Sequence, residues 1–272
     1  MSNASTSAPA EGRDFVTALA RGLEVINAFG ADMPAMTLSE IAQRTGLSAA
    51  TVRRSLITLE ALGYVRRRER RFMLTPKVLT LGGNYFASMN LKEVAQDALV
   101  SLVEQLHDAA SLTVLDQFEV VYIAHVPSDQ RVRHGRSVGA RLPAHATSTG
   151  LVLLAHASPE HRDRLLASRS LPAFTTQTPT RPRELRSLFE QALREDFMVA
   201  RDTIEYGAIA IAVPVRDSRG RVVAAVNAAT TSSKVTEKKL VETRLAPLRD
   251  AARKIGAMLE RYPALAHSIG SA

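Results

Sequence analysis

Between Arg44 and Lys77 the chain carries nine cations (Arg44, Arg53, Arg54, Arg66, Arg67, Arg68, Arg70, Arg71, Lys77) against two anions, Glu60 and Glu69. That local excess is nearly the whole net charge of +8. Arginine presents a planar fork of N–H donors that matches phosphate oxygens, so a run of five arginines in six residues at Arg66–Arg71 suits a polyanionic partner. On charge alone, a merely solvated basic face is the competing reading.

A second group of residues could make or break bonds. Ala146–Gly150 reads ATSTG, close to the G-x-S-x-G nucleophile elbow but with alanine first. That elbow needs a strand before its serine, a helix after it, and a remote acid and histidine. The preceding RLPAHA contains a proline and does not read as a buried strand, and His145 is too near Ser148 in sequence to be the usual remote base. No dinucleotide or phosphate-loop glycine pattern occurs, nor H-E-x-x-H. The seven histidines (His107, His125, His134, His145, His156, His161, His267) show no ligand spacing on one helical face. The sequence therefore predicts no catalytic residues, no metal and no cofactor. With no cysteine, thiolate chemistry and disulfides are excluded, and the composition fits a reducing cytoplasm.

Elements that could position the arginines are legible around them. Thr37 and Glu40 form a T-x-x-E capping box. Leu38, Ile41 and Ala42 then share a helical face, and Gly46 stands where that helix must stop. Ser48 is a natural cap for a second helix, whose Val52, Leu56 and Leu59 face the core. Ala49 and Ala50 open that helix; Thr51, Arg53, Arg54 and Ser55 face away from its core side. Upstream, FVTALARGLEVINAF (Phe15–Phe29) supplies a third amphipathic helix. Downstream, Tyr64–Arg66 and Arg71–Leu74 read as two short strands about a charged turn. The sum is a winged helix-turn-helix. Thr37, Ser48, Ala49, Ala50, Thr51, Arg53, Arg54, Ser55 and the wing arginines Arg66, Arg67, Arg68, Arg70 and Arg71 are the candidate contacts to a double-stranded DNA operator. The wing should supply salt-sensitive affinity and the first turns of the Ser48 helix specificity. Arg53 and Arg54 as ordinary exposed residues is the plainer alternative.

TLSEIAQRTGLSAATVRRSLITLEALGYVRRRERRFMLTPKVLTLG, with ALARGLEVINAF before it and LTPKVLTLGGNYF at its end, resembles the DNA-binding half of the IclR family of bacterial transcription regulators. The resemblance implies an α+β chain of five parts. These are a disordered leader (1–14), a winged helix-turn-helix (15–75), a linker helix (76–90), a GAF-like effector-binding domain with an antiparallel sheet (91–266), and a tail (267–272). Thr75-Pro76 is itself a helix start, proline occupying the first turn where its missing N–H costs nothing.

Beyond Leu91 the chain alternates helix and strand patterns. SLTVLDQFEVVYIAHV reads as two strands about a turn near Gln117–Glu119. AIAIAVPVRDSRGRVVAAVNAAT reads as a hairpin turning at Asp217–Gly220, and TEKKLVETRLAPLRDAARKIGAMLERY as the closing helix. The hairpin is rich in alanine, which allows either tight helix packing or room for a ligand; the resemblance implies the second. Carried over residue by residue, it implies effector contacts near Gly139, Ala140, Arg201, Ala208, Ala210, Asn227 and Ala229. VGARLPAHATSTG is similar to the branch governing catabolism of aromatic acids (protocatechuate, 4-hydroxybenzoate, β-ketoadipate, muconate). Such acids need cations or N–H donors, for which Arg141, His145 and Arg201 are candidates, with Ser148, Thr149 and Asn227 as hydrogen-bonding groups. Arg141 pointing outward, His145 satisfied in the core and Arg201 in a surface ion pair remain the plainer alternatives.

The expected function is therefore an operator-binding regulator tuned by a small organic acid. One such head covers too little surface for tight recognition, so a homodimer or dimer of dimers is expected. The rival is a ligand-binding module or hydrolase-like enzyme with an incidental basic surface. No apolar run approaches the roughly 18–20 residues that span a bilayer, and MSNASTSAPAEGR lacks the apolar core of a signal peptide, so a soluble cytoplasmic protein is expected.

Overall fold

The structure is a computed structural model that describes residues 14–30, 32–83, 92–128, 137–168, 170–259 and 261–262. The expected leader but for its last residue, the second half of the linker and the tail lie outside the described residues. The chain separates into two compact units, residues 1–85 and 86–272.

The first unit begins with α1 (Thr17–Asn27), then β1 (Ala35–Thr37) leading directly into α2 (Leu38–Thr45). The capping box is formed: the Thr37 N–H donates to Glu40 Oε2 at 2.7 Å, and the Glu40 N–H to Thr37 Oγ1 at 3.3 Å. Gly46 closes α2 at φ +72°, where a side chain would be strained, and its N–H reaches Ala42 O. Ser48 caps α3 (Ala49–Ala61), accepting from the Thr51 N–H at 3.2 Å. Gly63, at φ +78°, ends α3 in a Schellman motif, with Tyr64 N–H bonded to Leu59 O and Gly63 N–H to Glu60 O. Tyr64 is thereby used as a cap, which is why the wing strand starts one residue later than the sequence suggested. β2 runs Val65–Arg68 and β3 Arg71–Leu74. β3 is the middle strand of three, antiparallel to both β2 and β1. Val25, Ile26, Met36, Ile41, Val52, Leu56, Leu59, Val65 and Phe72 close the core; each fully buried aliphatic chain contributes about 1.5–3 kcal/mol.

The second unit is built on six antiparallel strands in the order β6-β5-β4-β9-β8-β7. They are β4 (Ala109–Asp116), β5 (Glu119–Val126), β6 (Arg141–Pro143), β7 (Met198–Arg201), β8 (Ala208–Arg216) and β9 (Val222–Thr231). RLPAHA, which did not read as a buried strand, supplies the three residues of β6, an edge strand none of whose residues is buried and whose proline ends the pairing. A π-turn over Lys92–Gln96 feeds α4 (Asp97–Leu106). α5 (Ser148–His156), α6 (Pro159–Leu166), α7 (Pro182–Glu195) and the 23-residue α8 (Glu237–Leu259) complete the unit.

The sheet is sandwiched. Along β8, Ala212 belongs to the cluster formed by Leu151, Leu154, Leu185 and Phe189 of α5 and α7. Val213, one residue on and therefore on the other face, borders a groove with Leu245 and Ala252 of α8. Every residue of α5 from Ser148 to Ala155 is buried, so this helix is apolar nearly all round. Among the described residues no helix is long and apolar enough to cross a membrane.

α5 is held close by a residue without a side chain: a Cβ placed on Gly150 would overlap the carbonyl oxygen and Cα of Ala144. Because both partners are backbone, nothing can swing aside. Gly150→Ala should cost about 1–3 kcal/mol or more, read as a lowered urea midpoint for the second unit with the first unit's transition unchanged.

Candidate functional site

Two sites are built on these units. On the first, the cap at Ser48 exposes Ser48, Ala49 and Ala50 at the start of α3, with Arg53 and Arg54 exposed one turn on and Thr51 and Ser55 half-buried. Ser48 Oγ lies 2.9 Å from Thr51 Oγ1, so this polar end is organised before anything binds. Thr37 is spent differently: its N–H and its hydroxyl both donate to Glu40 Oε2. The Thr37 groups also hold the Glu40 carboxyl below the usual carboxylate range, with Arg71 adding to the effect.

The strand register sorts the wing arginines. Arg67 faces Phe72 across the ladder, and its guanidinium lies 5.8 Å from the centre of that ring while Nε donates to Glu69 O at 2.8 Å. Arg71 turns inward: Nη1 donates to Ala35 O at 2.7 Å and sits 3.5 Å from Glu40 Oε2, tying the wing to β1 and α2. Arg66 and Arg68 occupy the alternate, exposed positions, and Arg70 sits at the turn. Upstream, Arg44 pairs with Asp32 at 2.7 Å, a bond that keeps the Asp32 carboxyl below its ordinary value. Lys77 Nζ donates to Leu62 O at 2.8 Å over the Tyr64 ring. Of the nine cations counted in the sequence, Arg53, Arg54, Arg66, Arg68 and Arg70 have no protein partner for their guanidinium groups among the described residues. These five unpaired guanidinium groups, two on α3 and three on the wing, carry the N–H geometry that matches phosphate oxygens.

On the second unit a cavity of about 320 Å³ lies between the sheet and the start of α5, at the small end of the range for ligand clefts, about 300–1,000 Å³. Its floor is two cross-strand rows. Ala109, Ala229, Ala210 and Ala200 are successive partners across β4, β9, β8 and β7, so four methyl groups lie side by side. Beside them His125, Ser111 and Asn227 are partners across β5, β4 and β9. Ser111 Oγ and His125 Nδ1 share a hydrogen bond of 3.0 Å. Thr147 and Ser148 face the cavity from the start of α5, and Thr203, Ile204 and Glu205 from the loop between β7 and β8. That loop is latched: Thr203 Oγ1 donates to Ala146 O at 2.7 Å, Thr175 Oγ1 to Asp202 O at 2.6 Å, and Thr178 Oγ1 to Thr203 O at 2.6 Å.

Of the candidate effector residues, the structure brings Ser148, Ala208, Ala210, Asn227 and Ala229 to the cavity. The others lie elsewhere. Arg141 is clamped by Asp116 and Glu119, both at 2.7 Å; burial works against its charge, but the two carboxylates prevail and hold its pKa above the ordinary value. Arg201 sits on the surface 3.4 Å from Asp202. His145 is buried with Nε2 3.0 Å from Pro172 O; burial lowers its pKa, the carbonyl opposing only in part, so it stays neutral and pins the loop rather than facing the cavity. Gly139 and Ala140 exchange hydrogen bonds with Tyr122 and anchor the edge of β5. Thr149 is buried one residue past the cavity wall. Ser111, His125, Tyr122, Thr147 and Thr203 line the cavity although nothing in their sequence pattern marked them: cross-strand register gathers the first three, and the other two stand at a helix cap and in a loop that only the tertiary fold brings to the cavity.

Comparisons with known proteins cover both units. The helix-turn-helix model of the IclR family matches residues 18–69, and the model of the bacterial transcriptional regulator IclR C-terminal domain matches residues 83–257. The Pca regulon regulatory protein of Pseudomonas putida is 39% identical over 242 residues, covering 89% of this chain and 83% of that protein. The p-hydroxybenzoate hydroxylase transcriptional activator of Acinetobacter baylyi is 35% identical over 247 residues, covering 89% and 91%. The crystal structure of an IclR homologue complexed with 4-hydroxybenzoate, from Microbacterium hydrocarbonoxydans, superposes with a TM-score of 0.76 at 31% identity over 90% of this chain and 99% of that one. An exposed arginine face on a winged helix-turn-helix, a cavity under a six-stranded sheet, and family matches over both units lead to one conclusion: the chain belongs to the IclR family of DNA-binding transcription regulators.

Proposed function

We propose that this regulator binds an operator as a homodimer or dimer of dimers in the cytoplasm, and that a small aromatic acid held in the cavity of the second unit tunes that binding. The observation that carries the DNA half is the set of five unpartnered arginines around the α3 start. The exposed groups at Ser48–Ala50, with Arg53, Arg54 and the half-buried Thr51 and Ser55, reach base edges, while Arg66, Arg68 and Arg70 bind phosphates. Arg67 and Arg71 act one step back, holding the wing in shape. A single head of this kind buries about 600–1,000 Å² of its own surface on DNA, too little for tight specific binding, and a pair on a palindrome remedies that.

For the acid, the cavity supports a reading in which backbone donors do the work of a cation. Thr147 Oγ1 caps α5 by accepting from the Gly150 N–H at 3.0 Å. The N–H groups of Ser148 and Thr149, in the same first turn, have no partner within a helix, and the helix dipole favours an anion there. Ser148 Oγ adds a further donor. Arg141 and Arg201 are already engaged with protein carboxylates, so the effector's carboxylate goes to the helix start. The alanine row provides a flat apolar floor for a ring. The relatives named for the pca regulon and p-hydroxybenzoate hydroxylase, and the homologue crystallised with 4-hydroxybenzoate, support this ligand class.

Two measurements test the reading. Titration of the operator between 50 and 200 mM salt should give a steep log–log slope, and replacing Arg66, Arg68 and Arg70 by alanine should flatten it by about one unit per lost phosphate contact. Arg53→Ala should instead weaken the operator selectively and leave non-specific DNA little changed. A thermal-shift screen of benzoate, hydroxybenzoates and protocatechuate should raise the second unit's melting temperature, by an amount corresponding to about 2.7 kcal/mol at a hundredfold excess over Kd. A panel without any shift would remove the aromatic-acid assignment and leave the DNA assignment standing.

A further inference from the structure

One wall of the cavity is built unlike the others. The floor is a paired sheet and the start of α5 is helix, each held by backbone hydrogen bonds. Thr203, Ile204 and Glu205 line the cavity from a loop, and the next residue, Tyr206, is 65% exposed. The loop therefore has the cavity on one side and solvent on the other. Strand pairing ends before it, since β7 pairs with β8 only as far as Arg201 opposite Ile209. Asp202 at φ +57° and Gly207 at φ +88° stand at its two ends, both left-handed. The Asp202 N–H donates to Ala208 O at 2.8 Å and the Gly207 N–H to Asp202 Oδ1 at 2.6 Å, so the two ends are pinned together.

Hydroxyl groups tie what lies between to its neighbours. Thr203 Oγ1 donates to Ala146 O at 2.7 Å, on the α5 side. From outside, the strap Pro172–Thr178 fastens the loop. Thr175 Oγ1 donates to Asp202 O and Thr178 Oγ1 to Thr203 O, both at 2.6 Å, while the Thr176 N–H donates to the Tyr206 hydroxyl at 3.1 Å. Thr178 is the centre of this latch, because its Oγ1 also accepts from the N–H groups of Phe174 and Thr175, at 2.9 and 3.0 Å. Phe174 of the strap and Tyr206 of the loop are themselves exposed, so their rings add little buried surface to the bonds. A segment held by side-chain bonds rather than by ladder or core opens at a lower free energy than the unit unfolds.

We propose that Thr203–Tyr206 is the door of the cavity, turning on Asp202 and Gly207, with the threonine strap as its latch. A small molecule enters and leaves past Thr203–Glu205 while the sheet and α5 stay in place. Thr178 and Tyr206 set the rate of this exchange and not the contacts that hold the ligand, because neither lines the cavity. Each latch bond lowers the open population by a factor of about two to ten. Such a door serves whatever molecule the cavity takes, so its test is separate from the aromatic-acid assignment.

The sequence contains no cysteine. Ser111→Cys therefore places a single thiol on the cavity floor, where the serine is 2% exposed and the change nearly isosteric, with Ala109→Cys as the alternative position. The rate at which iodoacetamide alkylates that thiol in the full-length protein reports how often the cavity opens. Adding Tyr206→Phe should raise the rate about twofold to tenfold, and adding Thr178→Val by at least as much. Ala251→Cys, in α8 at a position 5% exposed, is the control for wider unfolding, and neither latch substitution should change its rate. Melting temperatures establish that each variant is folded, and Tyr206→Phe, a surface change, serves if Thr178→Val is not. A floor thiol that reacts as fast in the folded protein as in urea, or at a rate that neither latch substitution alters, overturns the proposal. Entry past Pro127 and Ser128, at the end of β5, would then take its place. Equal acceleration of the Ala251→Cys control overturns it as well, since the whole unit is then loosened. Failure of the aromatic acids to bind would remove their assignment and leave the labelling result unaffected.

Discussion

The second unit depends on a standoff between α5 and the sheet. Protein interiors close over empty space, because an unfilled void forfeits dispersion contacts on every wall. The 320 Å³ beneath α5 survives because its neighbours cannot fill it. The sheet contributes methyl groups where leucine or isoleucine would reach across: Ala109, Ala229, Ala210 and Ala200. Gly150 lies against the backbone of Ala144, which fixes the start of α5 on the turn that precedes it. The loop from Asp202 to Glu205 cannot fold inward, because Thr175 and Thr178 hold its carbonyls and Thr203 holds the carbonyl of Ala146. Buried, neutral His145 adds a pin from the α5 approach to Pro172. The space has three boundaries: a sheet face of small side chains, a helix start in backbone contact with the turn before it, and a loop held by hydrogen bonds.

The first unit uses charge with the same economy. A wing of five arginines suggests five phosphate contacts, yet strand alternation divides them. Positions of the parity of Val65 face the core, so Arg67 lies along Phe72; Arg71 closes back on Glu40 and Ala35. These two give the wing its shape, and the remaining three face solvent. Arginines that hold the scaffold and arginines left unpaired therefore look identical in composition: register sets Arg67 apart, and Arg71, the cross-strand partner of Arg68, is set apart only by its contacts with Ala35 and Glu40.

That distinction marks how far the sequence is readable. Caps, turn glycines and helical periodicity are local, and so Thr37–Glu40, Gly46, Ser48 and the buried triad Val52, Leu56 and Leu59 stand in the structure where their pattern placed them. β1 was missed because three residues, Ala35–Thr37, are too few to show alternation and become a strand only by pairing with β3. The wing strand was set one residue early because Tyr64 completes the α3 terminus. In the second unit the alanine-rich hairpin was legible as a pair of strands, and its small side chains as either packing or space. The choice between them needed the register of β4 against β9, a contact across more than a hundred residues. The same register gathers His125, Ser111 and Asn227. Arg141 and Arg201 drew notice as cations near a supposed anion site, but Asp116, Glu119 and Asp202 claim them, and only the fold brings Asp116 and Glu119 alongside Arg141.

A ligand shifts a conformational equilibrium only by contacts that differ between the states, and moving a population from 1:99 to 99:1 takes a differential affinity of about 10⁴. Contact with the alanine floor contributes little to that difference, since the floor belongs to a sheet held by ladders on both sides and is the same in any state that keeps the sheet. The start of α5 and the latched loop are different in kind. They border the cavity through hydroxyls and backbone groups whose bonds are individually weak, about 0.5–1.5 kcal/mol net each, and can be exchanged for bonds to a ligand. An acid held at the α5 start, as proposed above, would therefore draw its differential affinity from those exchangeable groups rather than from the apolar surface it buries.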